Sequence, residues 1–331
     1  MNILITGAAG YIGSHVVKQL LESKKHNITV IDSFKTGFKE TIKTLQSFGS
    51  FKFIEQDLSQ WDEVESILKK YQFDTVIHFA ASLLVGESVE NPLKYYVNNT
   101  CNTANLVNLC NKYGVKKFIF SSTAAVYGEP SSNKMPLVET EFTSPINPYG
   151  NSKLMSEQII KDAASANKEF KYVILRYFNV AGAEESLSIG ECHDPETHLI
   201  PLVVQTALGK RNKIFIFGDD YDTFDGTCIR DYIHVDDLAS AHISALEYLE
   251  KKNSEVFNCG YGHGFSVKEV IDMIKKVSGV DFKVEVSSRR EGDPAILIAD
   301  NKKILKETNW KPKHDNLEFI CKTALEWEKK R

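Results

Sequence analysis

The first half of this 331-residue sequence predicts a doubly wound α/β fold, a parallel sheet with helices on both faces, followed by a smaller mixed α/β lobe. Three observations carry that expectation. Short apolar runs rich in β-branched residues alternate with amphipathic stretches of helical period. The first apolar run passes directly into a glycine-rich turn. After Asn179 the alternation gives way to longer, irregular connections.

Taken in order, "NILIT" (2–6) reads as a buried strand and "YIGSHVVKQLLES" as a helix with Ile12, Val16, Leu20 and Leu21 on one face. "ITVID" (28–32) and "FKFIEQD" (51–57) are the second and third strands. The helical stretch "WDEVESILKKY" precedes a fourth strand, "TVIHFAA" (75–81). A long helix over 92–113 leads to a fifth strand, "KKFIFSS" (116–122), and "KYVILRYFN" (171–179) is the sixth. Strands that are apolar at nearly every position are those covered on both faces, as in parallel sheets. The expected division is 1–178 for the first lobe, with a return segment near 226–245, and 179–331 for the second.

Composition narrows the function. A formal net charge of −4 gives no electrostatic reason to expect nucleic acid or an anionic membrane as partner. Six scattered cysteines form no C-x-x-C pair and no zinc spacing, so they read as reduced thiols of a cytoplasmic protein. No apolar run reaches the roughly 18 residues of a membrane span. The N-terminus lacks the basic region and cleavage site of a signal peptide and reads as a first strand.

The turn after the first strand is "GAAGYIG", with Gly7, Gly10 and Gly13 in a G-x-x-G-x-x-G pattern that includes Tyr11 and Ile12. The first glycine permits a tight turn, the second lets the backbone approach a pyrophosphate, and the third lets helix and strand pack closely. The helix N-terminus beyond them favours the anion. Asp32 ends the second strand, 19 residues after Gly13. It can accept from ribose hydroxyls, and its charge repels a 2′-phosphate, which favours NAD over NADP. Glycines alone are a weak signal; strand, helix and acid together specify a Rossmann-type dinucleotide loop. Asp57 and the adjacent Leu58 end the third strand, where Asp57 serves either as an adenine contact or as a helix N-cap.

In "INPYGNSKLMSEQII", Asn147 suits an N-cap and Pro148 the first helical position, which puts Tyr149 and Lys153 on one face at i and i+4. A free phenol titrates near 10. A neighbouring ammonium and a nicotinium ring would stabilise the phenolate, so that it could take a proton from a sugar hydroxyl. Y-x-x-x-K arises by chance on many helices and gains meaning here only downstream of a dinucleotide loop. The fifth strand ends in "SSTAAVYG", which puts Thr123 at a strand C-terminus, the end where such sheets bind ligands.

These residues together resemble the extended short-chain dehydrogenase/reductase superfamily and, within it, the UDP-glucose (UDP-galactose) 4-epimerases. The resemblance runs nearly end to end through "GAAGYIGSH", "HFAA", "VGESVENPLKYYVNN", "SSTAAVYGEP", "NPYGNSK", "RYFNVAGA", "GTCIRDYIHVDDLA", "FNCGYG" and "RREGDPA". It implies Tyr149 as catalytic base, Lys153 as its support and Thr123 at the position usually held by serine. It implies NAD contacts at Asn99 and Lys153 and a pocket lined by Phe79, Ala80 and Ala81, with Ser121 and Tyr177 assigned to the same cofactor. It further implies a UDP-sugar held by Asn179, Arg230, Arg289 and Asp293, and a uracil slot of His198, Leu199 and "IFIFG", which contains Ile216 and Phe217. A homodimer through the helices of 92–113 and after Pro148 is the family expectation.

Related dehydratases and decarboxylases carry an acidic residue straight after the strand-five threonine, where this chain has Ala124 and Ala125. A non-catalytic NAD-sensing relative would be expected to lose the Tyr/Lys pair, which this chain keeps. Two departures stand out. Leu84 occupies a position where many of these epimerases have lysine. Leu297 aligns with a residue thought to gate the sugar pocket, where glucose-restricted members tend to have tyrosine. Leucine there opens room for an N-acetyl group, which extends the expected substrates from UDP-Glc and UDP-Gal to UDP-GlcNAc and UDP-GalNAc.

Overall fold

In the computed structural model, which describes residues 1–290 and 292–331, seven parallel strands form the central sheet. The first six are β1 (Asn2–Thr6), β2 (Asn27–Asp32), β3 (Lys52–Glu55), β4 (Thr75–His78), β5 (Lys117–Thr123) and β6 (Lys171–Tyr177). The seventh, Glu255–Cys259, comes from the second half of the chain and pairs with β6 at the sheet edge. The order is seventh–β6–β5–β4–β1–β2–β3, so the winding reverses between β1 and β4. A crevice opens at that reversal, beyond the strand C-termini.

The strands are apolar at successive positions because both faces are buried. Ile3 and Ile5 face one core with Val16, Val17 and Leu20 of helix α1 (Tyr11–Ser23). Leu4 faces the other with Val76, Phe118 and Phe120. The helix Val235–Lys251 lies beside α1, tied to it where Gln19 Nε2 donates to the Asp236 carbonyl at 2.9 Å. Helices Trp61–Tyr71, Asn102–Lys112 and Pro148–Ala166 cover the opposite face.

The expected long helix over 92–113 is not uniform. It begins as Pro92–Tyr95, widens into a π-helical turn at Tyr96–Cys101, and resumes as Asn102–Lys112. Such turns are frequent at functional sites. The third and fourth strands stop at Glu55 and His78, earlier than their apolar runs suggest, and the chain beyond them turns over the crevice. The sixth run divides into β6 and a separate strand, Asn179–Ala181, which pairs with Tyr232–His234.

The remaining chain is built of short pieces: a two-stranded sheet of Ile214–Phe217 and Val284–Ser287, and a three-stranded one of Phe265–Ser266, Ile229–Arg230 and Ile296–Leu297. Helices Leu199–Ala207, Val267–Ser278 and Leu317–Lys330 pack around them. The fully buried Asp231 fastens three of these pieces by accepting from the backbone N–H groups of Tyr261 (2.9 Å), Gly262 (3.1 Å) and Ala299 (3.3 Å).

One ion pair anchors the helix that carries Tyr149. Arg176 of β6 grips Glu157 with two hydrogen bonds, Nε to Oε1 at 2.9 Å and Nη2 to Oε2 at 2.6 Å, and both side chains are buried. Ser122 Oγ donates to the same carboxylate at 2.6 Å. Arg176 Nη1 donates to the Tyr127 hydroxyl (3.1 Å), which donates to Asn258 on the seventh strand (2.7 Å). Truncating one partner of a buried pair strands the other charge. Arg176→Met is therefore expected to lower unfolding stability by about 3–5 kcal/mol, measured by denaturant titration, with Glu157→Leu added in the double variant recovering part of the loss.

Candidate functional site

The loop from β1 into α1 shows why its glycines are there. Gly7 adopts φ +78°, and a Cβ on it would lie 2.5 Å from the Ala80 nitrogen. A Cβ on Gly13 would lie 2.6 Å from the Gly7 carbonyl oxygen. Gly10 is different: its Cβ would meet only the Gly7 oxygen, at 3.4 Å. Nothing in the protein crowds Gly10, so the space in front of it is left for something else. α1 also starts with no side-chain cap and no acidic residue in its first turn, which leaves its first N–H groups free for an anion. Loop, helix end and Asp32 fit the pyrophosphate and ribose of a dinucleotide.

Asp32 does part of its work within the protein. Its carboxylate accepts from Ala9 N and Phe34 N, both at 2.8 Å, and so fixes the loop to the end of β2. Burial raises its pKa, and these backbone donors oppose the shift. Asp57 pairs with Lys35 at 2.5 Å and accepts from Ser59 N at 2.8 Å. The following helix starts at Trp61 with Gln60 in the cap position, so Asp57 is not its N-cap.

A single cavity of about 1260 Å³ runs from this loop across the sheet end to the second lobe. That exceeds the roughly 300–1,000 Å³ typical of one small-molecule site. Gly7, Gly10, Tyr11, Ile12, Gly13, Asp32, Asp57 and Leu58 line one end, with Phe79, Ala80 and Ala81 along the wall. Thr123, Tyr149, Lys153 and Tyr177 line the middle, His198 and Leu199 lie on the second-lobe side near Tyr11, and Asn179, Arg230, Asp293 and Leu297 line the far end.

The middle is built by local sequence. Asn147 Oδ1 accepts from Gly150 N at 2.8 Å, with Pro148 at the first helical position, as the cap chemistry predicts. Gly150 itself is required by a close approach: a Cβ there would lie 2.8 Å from the Ala125 carbonyl oxygen. The helix thereby brings Tyr149 to the end of β5. Thr123 Oγ1 accepts from Ala125 N at 3.1 Å, which leaves its O–H to donate.

The electrostatics differ from the sequence expectation. Burial raises the Tyr149 pKa above 10, and the Thr123 hydroxyl opposes that shift. Burial disfavours the charged form of Lys153. Its Nζ donates to the Ser121 carbonyl at 2.9 Å and sits 4.9 Å over the Phe120 ring, and burial lowers its pKa to about 7. Glu157, one turn on, pulls the value back up.

Five expected contacts lie outside the cavity lining. Asn99, in the π-helical turn, spends its amide on Ser82 N (2.8 Å), Ser82 O (3.0 Å) and Ser152 Oγ (3.0 Å), so it holds the wall from behind. Ser121 contributes its carbonyl to Lys153, and its hydroxyl donates to Tyr177 at 3.0 Å. Ile216 is buried in the core, and Phe217 stacks under the Arg290 guanidinium at 4.0 Å. Arg289 is exposed, pairs with Asp220 at 2.7 Å and lies over Tyr221 at 4.1 Å. Arg230 does line the cavity, with its guanidinium bonded to Asp293 rather than to Asp231 or Asp236. Leu84 does not line it either; its carbonyl accepts from the Tyr95 hydroxyl at 2.7 Å, while neighbouring Leu83 and Val85 face inward. Ser82, Ser152 and Lys35 were not singled out in the sequence, since each depends on a partner distant along the chain.

Fold and site together define an enzyme that works with a bound dinucleotide. Residues 3–260 match the model of the NAD dependent epimerase/dehydratase family, and the chain belongs to that family. It is 46% identical to the UDP-glucose 4-epimerase of Azospirillum brasilense over 99% of this chain and 92% of that one. Among solved structures, the UDP-Glc/GlcNAc 4-epimerase of Campylobacter jejuni shares 57% identity with a TM-score of 0.88, covering 100% and 99% of the two chains. The UDP-glucose 4-epimerase of Bifidobacterium longum, solved with NAD+ and UDP, shares 37% identity with a TM-score of 0.94, covering 100% and 98%.

The lowered pKa of Lys153 has a measurable consequence. Between pH 7 and about 10.5 the unfolded chain binds a proton at this residue that the folded chain does not, so this group makes stability rise with pH across that window. Below pH 7 the cost of burying the charge is complete. Lys153→Met is expected to be more stable than the parent at pH 6, with the difference shrinking toward pH 10 in thermal unfolding.

Proposed function

We propose that this protein is a UDP-hexose 4-epimerase that keeps NAD bound through the reaction and acts on both plain and N-acetylated sugars. The observation that carries the reading is the placement of Tyr149 and Thr123 midway along one cavity, with a dinucleotide loop at one end and Arg230 at the other. When bound, NAD supplies the hydride acceptor and returns the same hydride, so no net oxidation occurs. Gly7, Gly10, Gly13, Asp32 and Lys153 are the residues assigned to hold it.

Thr123 orients the C4 hydroxyl of the hexose and Tyr149 takes its proton. Arg230 and Asn179 hold the diphosphate, since a fixed guanidinium suits phosphate oxygens. To do so Arg230 exchanges Asp293 for the phosphate, and Asp293 becomes free for the uridine ribose. The hexose, held only through its diphosphate, turns over as the 4-keto sugar. Tyr149 would then return the proton to the C4 oxygen.

Ala124 and Ala125 line the cavity next to Thr123, so the acid that dehydration requires is missing at that place. Leu297 supports the wider substrate range. It packs partly against Ala124, Val126, Tyr127 and Phe178 and presents the rest of its surface to the cavity. The C. jejuni relative, described as acting on both UDP-Glc and UDP-GlcNAc, supports the same reading.

The reading includes a cytoplasmic homodimer and the lobe division at 178/179. Six free cysteines support a reducing compartment. No helix among the described residues is long and apolar enough to cross a membrane. Leu93 (73% exposed) and Met155 (47%) lie on the two helical segments expected to pair, which supports the dimer.

Purified protein given no added NAD is expected to convert both UDP-Glc and UDP-GlcNAc, resolved by NMR. Conversion of neither, even with NAD supplied, would sink the epimerase reading. Tyr149→Phe should lower kcat by about 10²–10⁴-fold. Leu297→Tyr should remove the N-acetyl activity and spare the plain sugars; equal loss of both would refute the gate. Met155→Glu should shift the dimer toward monomer in light scattering.

A further inference from the structure

Four side chains of the segment 191–198, "ECHDPETH", converge on one point beside the cavity. The ligating atoms of Glu191, His193, Glu196 and His198 all lie within 4.8 Å of one another. His193 Nδ1 is 3.3 Å from Glu191 Oε1 and 3.7 Å from Glu196 Oε2, and His198 Nδ1 is 3.9 Å from Glu196 Oε1. Ligands of a tetrahedral zinc ion bound at ~2.0–2.1 Å are separated by about 3.4 Å, so three of these spacings already suit one ion. The fourth, His198 Nδ1 to Glu191 Oε1 at 2.5 Å, is a direct hydrogen bond that would open.

The polar bookkeeping points the same way. Glu191 is 5% exposed, and its Oε2 has no hydrogen-bond partner. Glu196 Oε2 and His193 Nδ1 are also buried without one. Buried polar atoms are nearly always satisfied, so three orphans within one four-residue cluster call for a partner.

Both ends of the segment are fixed on rigid structure. The Glu191 carbonyl accepts from Trp327 Nε1 at 2.7 Å, and a Cβ on Gly190 would collide with the Trp327 ring at 2.6 Å. At the other end, Leu199 opens the helix Leu199–Ala207. The His193 ring meets Tyr11 of the glycine loop edge-on, with centroids 6.3 Å apart.

We infer that Glu191, His193, Glu196 and His198 form a structural site for a borderline divalent cation of the zinc class, which pins this segment against the dinucleotide loop. Imidazole nitrogen with carboxylate oxygen is a donor set for zinc, cobalt or iron rather than for magnesium or calcium. The inference rests on the cluster alone and stands or falls apart from the epimerase reading.

The test uses full-length protein stripped with chelator and titrated with zinc chloride by calorimetry, with magnesium chloride as control. One saturable zinc site per chain is expected, weakened at least tenfold in His193→Gln and in Glu196→Gln, with circular dichroism confirming that both variants fold. His314→Gln serves as a second control, because His234, Asp236 and His314 form another cluster. No saturable zinc binding would overturn the proposal and leave the cluster as ion-paired histidines only. So would binding that survives both variants, or that is lost in His314→Gln instead.

Discussion

The bidentate pair of Arg176 and Glu157 is the constraint on which the active geometry depends. It joins β6 to the helix Pro148–Ala166, with β5 tied in through Ser122 and the seventh strand through Tyr127 and Asn258. Tyr149 and Lys153 are two turns and one turn upstream of Glu157 on that helix. Their distance from the strand end is therefore set by a buried electrostatic contact and by the absence of a side chain at Gly150. A buried pair of this kind is weak evidence for net stability. Its better-supported role here is positional, since it fixes which face of the helix meets the sheet.

The same carboxylate also acts on Lys153. Burial strips Lys153 of water and favours its neutral form, while Glu157 partly restores the charge. A lysine that titrates near neutrality can respond to what binds beside it, whereas one at its ordinary value would stay charged. The anchoring of the helix and the protonation of Lys153 thus share one residue, which was not apparent as functional from the sequence.

How much was legible follows from how local each signal is. The six strands of the first half stood out because both faces of the sheet are buried, as Leu4 between Ile3 and Ile5 shows. The start of the Tyr149 helix was readable from Asn147 and Pro148, since capping is settled within four residues. The seventh strand was not, because "EVFNC" is short and its place depends on pairing with a strand some eighty residues earlier. Asn99 came from family resemblance as an NAD contact, and only the π-helical turn and the distant Ser82 and Ser152 show what its amide holds. Arg289 and "IFIFG" came from family resemblance, and their side chains here engage Asp220, Tyr221 and Arg290 rather than the cavity. The shift at Lys153 was invisible for a different reason: burial is a property of the folded chain.

Leu297 stands in a two-residue strand, directly opposite Arg230 in the register. Its carbonyl accepts from Asp231 N at 3.2 Å, and Ile229 N donates to Ala295 O at 2.8 Å, so the backbone on both sides is spoken for. A side chain on such a frame can be exchanged by a change in one codon without rebuilding a loop. A bulkier residue there fills cavity space while these hydrogen bonds keep the strand in place. The shape of the cavity at this end can then diverge within a lineage one side chain at a time.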